Sequence, residues 1–146
     1  MLLKLQPEQI ALFWDAISYA FVASEAVPSI NREKWLTGCL ANLMSGNSQC
    51  WIVYDRKEDD LHIYAVMISQ LVNDPLSGSP VLMLGPLYGF RKMEDQMMIW
   101  AVEKVCEYGL SRECSRIVVW SPHPRVQDWA IKCGFQEASK IFIREQ

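Results

Sequence analysis

The strongest constraint on this chain is a change of period near its middle. Up to Gly46 the apolar residues recur three and four apart, from Cys50 to Tyr88 they come as three runs broken by polar clusters, and from Glu94 the helical spacing returns. The runs are Cys50–Tyr54, Leu61–Val72 and Val81–Tyr88, parted by the charged cluster Asp55–Asp60 and by Asp74–Pro80, which holds two prolines and Gly78. Connections this short join antiparallel neighbours, so the centre of the chain is an antiparallel meander of three strands.

The flanks supply what covers it. Leu2–Leu5 is a short first strand, and Pro7 and Glu8 open a helix whose apolar residues fall at Ile10, Phe13, Trp14, Ile17, Ala20 and Phe21. A second helix has Asn31 as N-cap, Leu36, Cys39, Leu40 and Leu43 on one face, and Gly46 as its stop. The longest helix runs from Glu94 to Ser111 with Met98, Ala101, Val102 and Val105 on a side that Ile99 and Cys106 widen. Ile117–Trp120 is then a short strand; reached by a right-handed crossover, it runs parallel to the Val81 strand. Pro122, His123 and Pro124 start a short helix bearing Val126, Trp129 and Cys133, Gly134 closes it, and Ile141–Ile143 forms a last strand. The expected class is α/β (α+β), a mixed sheet in the order β-α-α-β-β-β-α-β-α-β, with residues 1–146 as one domain without repeats or linkers.

With 146 residues, 51% of them hydrophobic, the chain buries enough surface to fold without a disulfide or a metal, which excludes intrinsic disorder. No apolar run reaches the roughly 20 residues a bilayer requires, and the start lacks a signal-peptide core, so a cytoplasmic location with no membrane association is expected. The net charge of -3 comes without a basic stripe, so direct nucleic-acid binding is not expected; a protein partner would have to bring the chain to DNA. Five cysteines without a C-x-x-C pair read as reduced packing residues. Neither His62 nor His123 stands at ligand spacing from a cysteine or carboxylate, so no metal site is expected. Trp14, Trp35, Trp100 and Trp129 fall on helix faces that predict packing, while Trp35, Trp51 and Trp120 include candidate interface anchors.

The order of elements, with Cys114–Trp120 followed by Lys132, Cys133, Gly134 and Phe135, resembles the GNAT N-acetyltransferases over nearly the whole chain, down to their "K-x-G-F" ending. In such proteins the glycine ends the helix in a left-handed turn and the phenylalanine anchors the next strand. A narrower resemblance, carried by Pro7, Glu8, Gln9, Ile10, Trp14, Asp15 and Ile17, by Gln49–Ile52 and by Leu87–Gly89, is to small GNAT-like proteins of tailed bacteriophages. The resemblance implies a splay between parallel strands near 81–88 and 116–120 that takes acetyl-CoA, with the pyrophosphate on backbone N–H groups at the start of the long helix.

The family signature at that turn is Q/R-x-x-G-x-G/A. Here the stretch reads Gly89, Phe90, Arg91, Lys92, Met93, Glu94, Asp95, Gln96, without the glycine pair. Tyr88, Gly89, Arg91 and Lys92 are the candidate cofactor contacts. Glu94 and Asp95 already complement the helix dipole, at about 0.3 to 1 kcal/mol each, and would repel a second anion. The tyrosine that resembles a general acid, five residues before the phenylalanine, falls on Ala130, and the asparagine seven residues earlier falls on His123. Tyr88 and His123 are therefore the candidate catalytic groups, with His62 beside the middle strands as a candidate base. Cys133 has no base at helical spacing and reads as core.

These residues support two functional expectations. In the first, the chain is a non-catalytic binding or assembly module with a degenerate acetyl-CoA motif and no required cofactor, working through a protein partner or self-association, in a virion if phage-encoded. In the second it is a divergent N-acetyltransferase that holds acetyl-CoA through Arg91 and Lys92.

Overall fold

The computed structural model describes residues 1–144. Its elements are β1 (Leu2–Lys4), α1 (Pro7–Leu12), α2 (Trp14–Ala23), α3 (Arg32–Ser45), β2 (Ser48–Lys57), β3 (Asp60–Asn73), β4 (Pro80–Gly89), α4 (Asp95–Ser111), β5 (Arg116–Val119) and α5 (Pro124–Lys132). The sheet runs β1-β2-β3-β4-β5, antiparallel except for the parallel β4–β5 pair. This is the expected mixed α+β sheet, with the meander at its centre.

Alternation along the strands sends side chains to two cores. On one face Val53, Met67, Leu82 and Leu84 pack with Met98, Ala101, Val102 and Val105 of α4 and with Val126 and Trp129 of α5. On the other, Cys50, Ile52, Val66 and Ile68 pack with Ile10, Ile17, Phe21 and Leu43 of α1, α2 and α3. Within the first core a polar chain links β2 to β3. The Trp51 indole N–H donates to Ser69 Oγ at 2.9 Å, the Ser69 hydroxyl donates to Gln49 Oε1 at 2.8 Å, and Gln49 Nε2 donates to the Gly46 carbonyl at 3.0 Å.

Four expectations change. The single helix over Pro7–Phe21 is two helices meeting at Phe13, whose φ of -98° and ψ of 12° leave the helical range although the Ile17 N–H still donates to the Phe13 carbonyl. Asn31 does stand at the N-cap of α3, but in a left-handed conformation and without a side-chain cap bond. Trp35 and Trp100 do not pack into the core; they are 50% and 40% exposed, because α3 and α4 are amphipathic and these residues lie on the outer sides. Ile141–Ile143 forms no strand: its side chains are exposed, Phe142 to 90%, and the sheet edge beside which a further strand would lie, β5, offers only four residues of ladder.

Candidate binding site between two diverging strands

The site begins with a defect in β4. Met67 faces Leu87 and Ser69 faces Leu84, so Gly85 and Pro86 together stand against the single residue Ile68, a β-bulge. Gly85 has a φ of +145°, and a Cβ there would lie 2.5 Å from the Trp120 carbonyl oxygen, so only glycine fits. Pairing with β5 ends at this point. The β4–β5 register runs from Val81↔Arg116 to Leu84↔Val119, and the Trp120 N–H makes a last bond to the Leu84 carbonyl at 3.0 Å. Beyond it β5 turns away through Ser121–Pro124 into α5, and Pro86–Gly89 of β4 keeps β3 on one edge with no strand on the other among the described residues.

The divergence leaves a narrow slot whose free interior is about 20 Å³. Leu84, Leu87, Val119 and Trp120 form its strand walls, Val102 closes it from α4, and Val126, Trp129, Ala130, Cys133 and Phe135 close it from α5 and the turn after it. The lining is almost wholly apolar. Its one titratable group is the Cys133 thiol, which burial holds above the ordinary thiol value.

At the α5 side of the mouth a clasp ties α5 to the first turn of α4. Lys132 Nζ lies 2.7 Å from Asp95 Oδ2, the Trp129 indole N–H donates to Asp95 Oδ1 at 3.4 Å, and the Arg125 guanidinium stacks 4.6 Å from the Trp129 ring centroid. Lys132 in the first place, with help from Trp129 and Arg125, holds the Asp95 carboxyl below the usual carboxylate range; Asp95 in turn raises the Lys132 ammonium. The residues between β4 and α4 are otherwise engaged. The N–H groups of Phe90 and Arg91 both point to the Tyr64 carbonyl on β3, at 2.8 and 3.4 Å, and Met93 is buried in the α4-side core. Arg91 and Lys92 are exposed. Gly89 pairs with Ala65, and a Cβ there would meet nothing nearer than 3.9 Å, so its place does not require glycine.

Tyr88 lies on the opposite face of the sheet from the α4 core, in an aromatic cluster with Tyr19 at 5.7 Å and Phe90 at 5.1 Å between ring centroids. The neighbouring Tyr19 hydroxyl, and then burial, push its phenol above the ordinary value, so it stays protonated at neutral pH. The structure therefore separates Tyr88 from Arg91 and Lys92 rather than gathering them. His123 stands at the N-cap of α5, where its carbonyl accepts from the Gln127 N–H; its Nε2 is enclosed without a hydrogen-bond partner among the described residues. His62 faces Asp55 near the far end of the β2–β3 hairpin. It stands five residues along β3 from Met67 of the slot, about 17 Å at the usual rise per residue. Among the described residues no three His, Cys, Asp or Glu side chains gather to hold a metal ion, and no helix is long and apolar enough to cross a membrane.

Sequence reasoning passes over three parts of this arrangement. The Gly85–Pro86 pair carries a readable signal, since proline inside a strand marks a bulge or an edge. The Asp95–Lys132 clasp joins residues 37 positions apart and carries none. Nor does the bond from the Tyr64 hydroxyl to Asp55 Oδ2 at 2.8 Å, which raises the Tyr64 phenol and joins positions across the hairpin.

No protein-family model matches the chain, and no curated protein matches it in sequence. Solved structures do match in three dimensions. A predicted acetyltransferase from Clostridium acetobutylicum, solved with acetyl-CoA, superposes with a TM-score of 0.76 at 14% identity, covering 99% of this chain and 95% of that one. Glucosamine-6-phosphate N-acetyltransferase from Arabidopsis thaliana gives 0.69 at 11% identity, over 99% of this chain and 97% of that one. An acetyltransferase from Trypanosoma brucei gives 0.67 at 11% identity, over 100% and 99%. With the order of strands and the divergence of β4 from β5, these superpositions establish that the chain has the GNAT fold.

Proposed function

We propose that the chain is a binding module that takes the acyl-pantetheine arm of acetyl-CoA, or of a like thioester, in the β4–β5 slot and supplies no acid for its transfer. One observation carries the reading. The slot keeps an apolar lining and an open β4 edge, while the residue at the place where the GNAT resemblance calls for a phenol is Ala130. A pantetheine arm is uncharged and largely aliphatic, and burying it between these walls, which must part further to admit it, gains about 25 cal/mol per Å² of apolar surface. Its amides suit the unpaired backbone edge of Pro86–Gly89, as an added strand would. The Clostridium neighbour with bound acetyl-CoA supports this choice of ligand.

Calorimetric titration with acetyl-CoA and CoA, run beside a thiol-release assay with simple amines, tests the proposal. Saturable binding without release above background is the expected result. Rapid release would move the chain to the transferases, and no binding would remove the slot from consideration. The transferase reading takes as its acid Tyr88, the residue after Leu87 of the slot on β4, and it requires that release, once seen, vanish in Tyr88→Phe.

We propose further that the module assembles with copies of itself, a reading that draws on the phage-like N-terminal helix, on the outer side of α3, where Trp35 is 50% exposed, and on the turn before it, where Ile30 is 70% exposed. It calls for self-association, read by sedimentation equilibrium as a dimer that Trp35→Ala dissociates, and for a place in the virion, read by co-purification with phage particles. A monomer at all concentrations would remove the self-association.

A further inference from the structure

We infer that α5 is a lid on the slot, latched by the two bonds that Trp129 and Lys132 make to Asp95 and swung aside when a ligand enters. The inference takes the slot reading above for what the lid admits and adds how it is admitted. A free interior of about 20 Å³ holds about one water molecule, so a wall must move before any thioester arm is enclosed.

The other walls are fixed. Beyond the bulge β4 stays paired to β3, from Met67↔Leu87 to Ala65↔Gly89. Val119 belongs to the ladder that joins β5 to Leu84. Met98, Ala101, Val102 and Val105 anchor α4 in the core. The fastening of α5 is of another kind. Among the described residues, the hydrogen bonds of residues 121–135 stay within that stretch except for two, and both of those go to Asp95. The helix buries only Val126 and Trp129. Before it, the chain leaves the sheet at the bond from Trp120 to Leu84; after it, Gly134 stands at a φ of +88° with open space around its Cα, and residues 136–144 are exposed and belong to no helix or strand. A segment with two buried residues and no bond to the sheet opens at a lower free energy than the core beneath it. The latch is weak by design of its place: the Asp95 and Lys132 side chains are each 50% exposed, so removing the lysine shifts the opening by about two- to fivefold.

The test is peptide-resolved alkylation of the full chain with iodoacetamide. Cys133 lines the slot, whereas Cys50 in the opposite core and Cys114 just beyond α4 are buried and report opening of the rest of the molecule. Lys132→Met is expected to speed labelling of Cys133 about two- to fivefold and to leave Cys50 and Cys114 unchanged. Unchanged labelling of Cys133, or a rise shared by all three thiols, overturns the inference. Calorimetry with acetyl-CoA on the same two proteins separates it from the slot reading. Faster labelling of Cys133 without thioester binding keeps the lid and removes the slot as a thioester site; thioester binding with no effect on Cys133 keeps the slot and removes the lid.

Discussion

The slot between β4 and β5 and the turn that leads into α4 lie side by side and are built by different means. The slot is a matter of backbone: the last bond from Trp120 to Leu84 and a glycine with no room for a Cβ hold the strands together up to the bulge, and beyond it they part. The turn is a matter of side chains and charge, and there Asp95, Lys132 and Trp129 have closed on one another. Backbone geometry is shared by every side chain the sheet carries and changes only with the fold. Charge at a helix start changes with single substitutions and leaves the strands where they are.

That contrast breaks first at Gly85. Gly85→Ala sets a Cβ against the Trp120 carbonyl at 2.5 Å in a φ of +145°, and it is expected to destabilise the fold by about 3 kcal/mol, read by denaturant unfolding. A loss under about 0.5 kcal/mol would mean that the close approach to Trp120 is not what holds the strands together there. Next is Ala130→Val, which crowds the slot from α5 and should weaken thioester binding about tenfold or more, or 1.4 kcal/mol, read beside denaturant unfolding that should show a loss of no more than about 1 to 3 kcal/mol. Unchanged affinity would place the ligand elsewhere.

The charged side of the comparison is sharpened by pH. Because the Asp95 pKa is lower in the folded chain, the clasp contributes stability that is complete above the ordinary aspartate value and is lost as pH falls through the lower, folded value. A carboxyl titration followed by NMR should place the Asp95 midpoint below that of a free aspartate, and Lys132→Met should return it. A midpoint at the ordinary value would dissolve the clasp. The smallest effect is expected from exchanging Arg91 and Lys92 together for alanine, which should alter acetyl-pantetheine affinity by less than about twofold, since both side chains are exposed and lie outside the slot.

The parts of the fold that sequence reading reaches are those written in period. Apolar runs broken by polar clusters mark β2, β3 and β4, the 3.6-residue spacing marks α4, and Gly46 and Gly134 mark helix ends that the structure closes with φ of +83° and +88°. Crossover handedness makes β5 parallel to β4. Period says nothing of how far an amphipathic face is covered, which is why the spacing of Trp35 and Trp100 points to packing that the fold does not provide. It says nothing either of whether a partner edge exists, which is why Ile141–Ile143 reads as a strand. At the site, proximity in the chain misleads: Tyr88 and Gly89 adjoin Arg91 and Lys92 in sequence, yet alternation turns the Tyr88 ring to the α2 side. The clasp needs α5 to come back across α4, which only the folded chain reveals.

The polar chain through Gln49, Ser69 and Trp51 has a consequence for how the hairpin finds its partner. Ser69 is wholly buried, and it sits directly across from Leu84, one step before the bulge. If β2 and β3 paired one residue out of step, the alternate side chains would exchange faces. An indole N–H, a hydroxyl and a carboxamide would then be left without one another in apolar surroundings, at roughly 1 to 3 kcal/mol for each group. The three residues thus act as a key that admits a single alignment of β3, and with β3 fixed, the bulge in β4 and the mouth of the slot fall in one place.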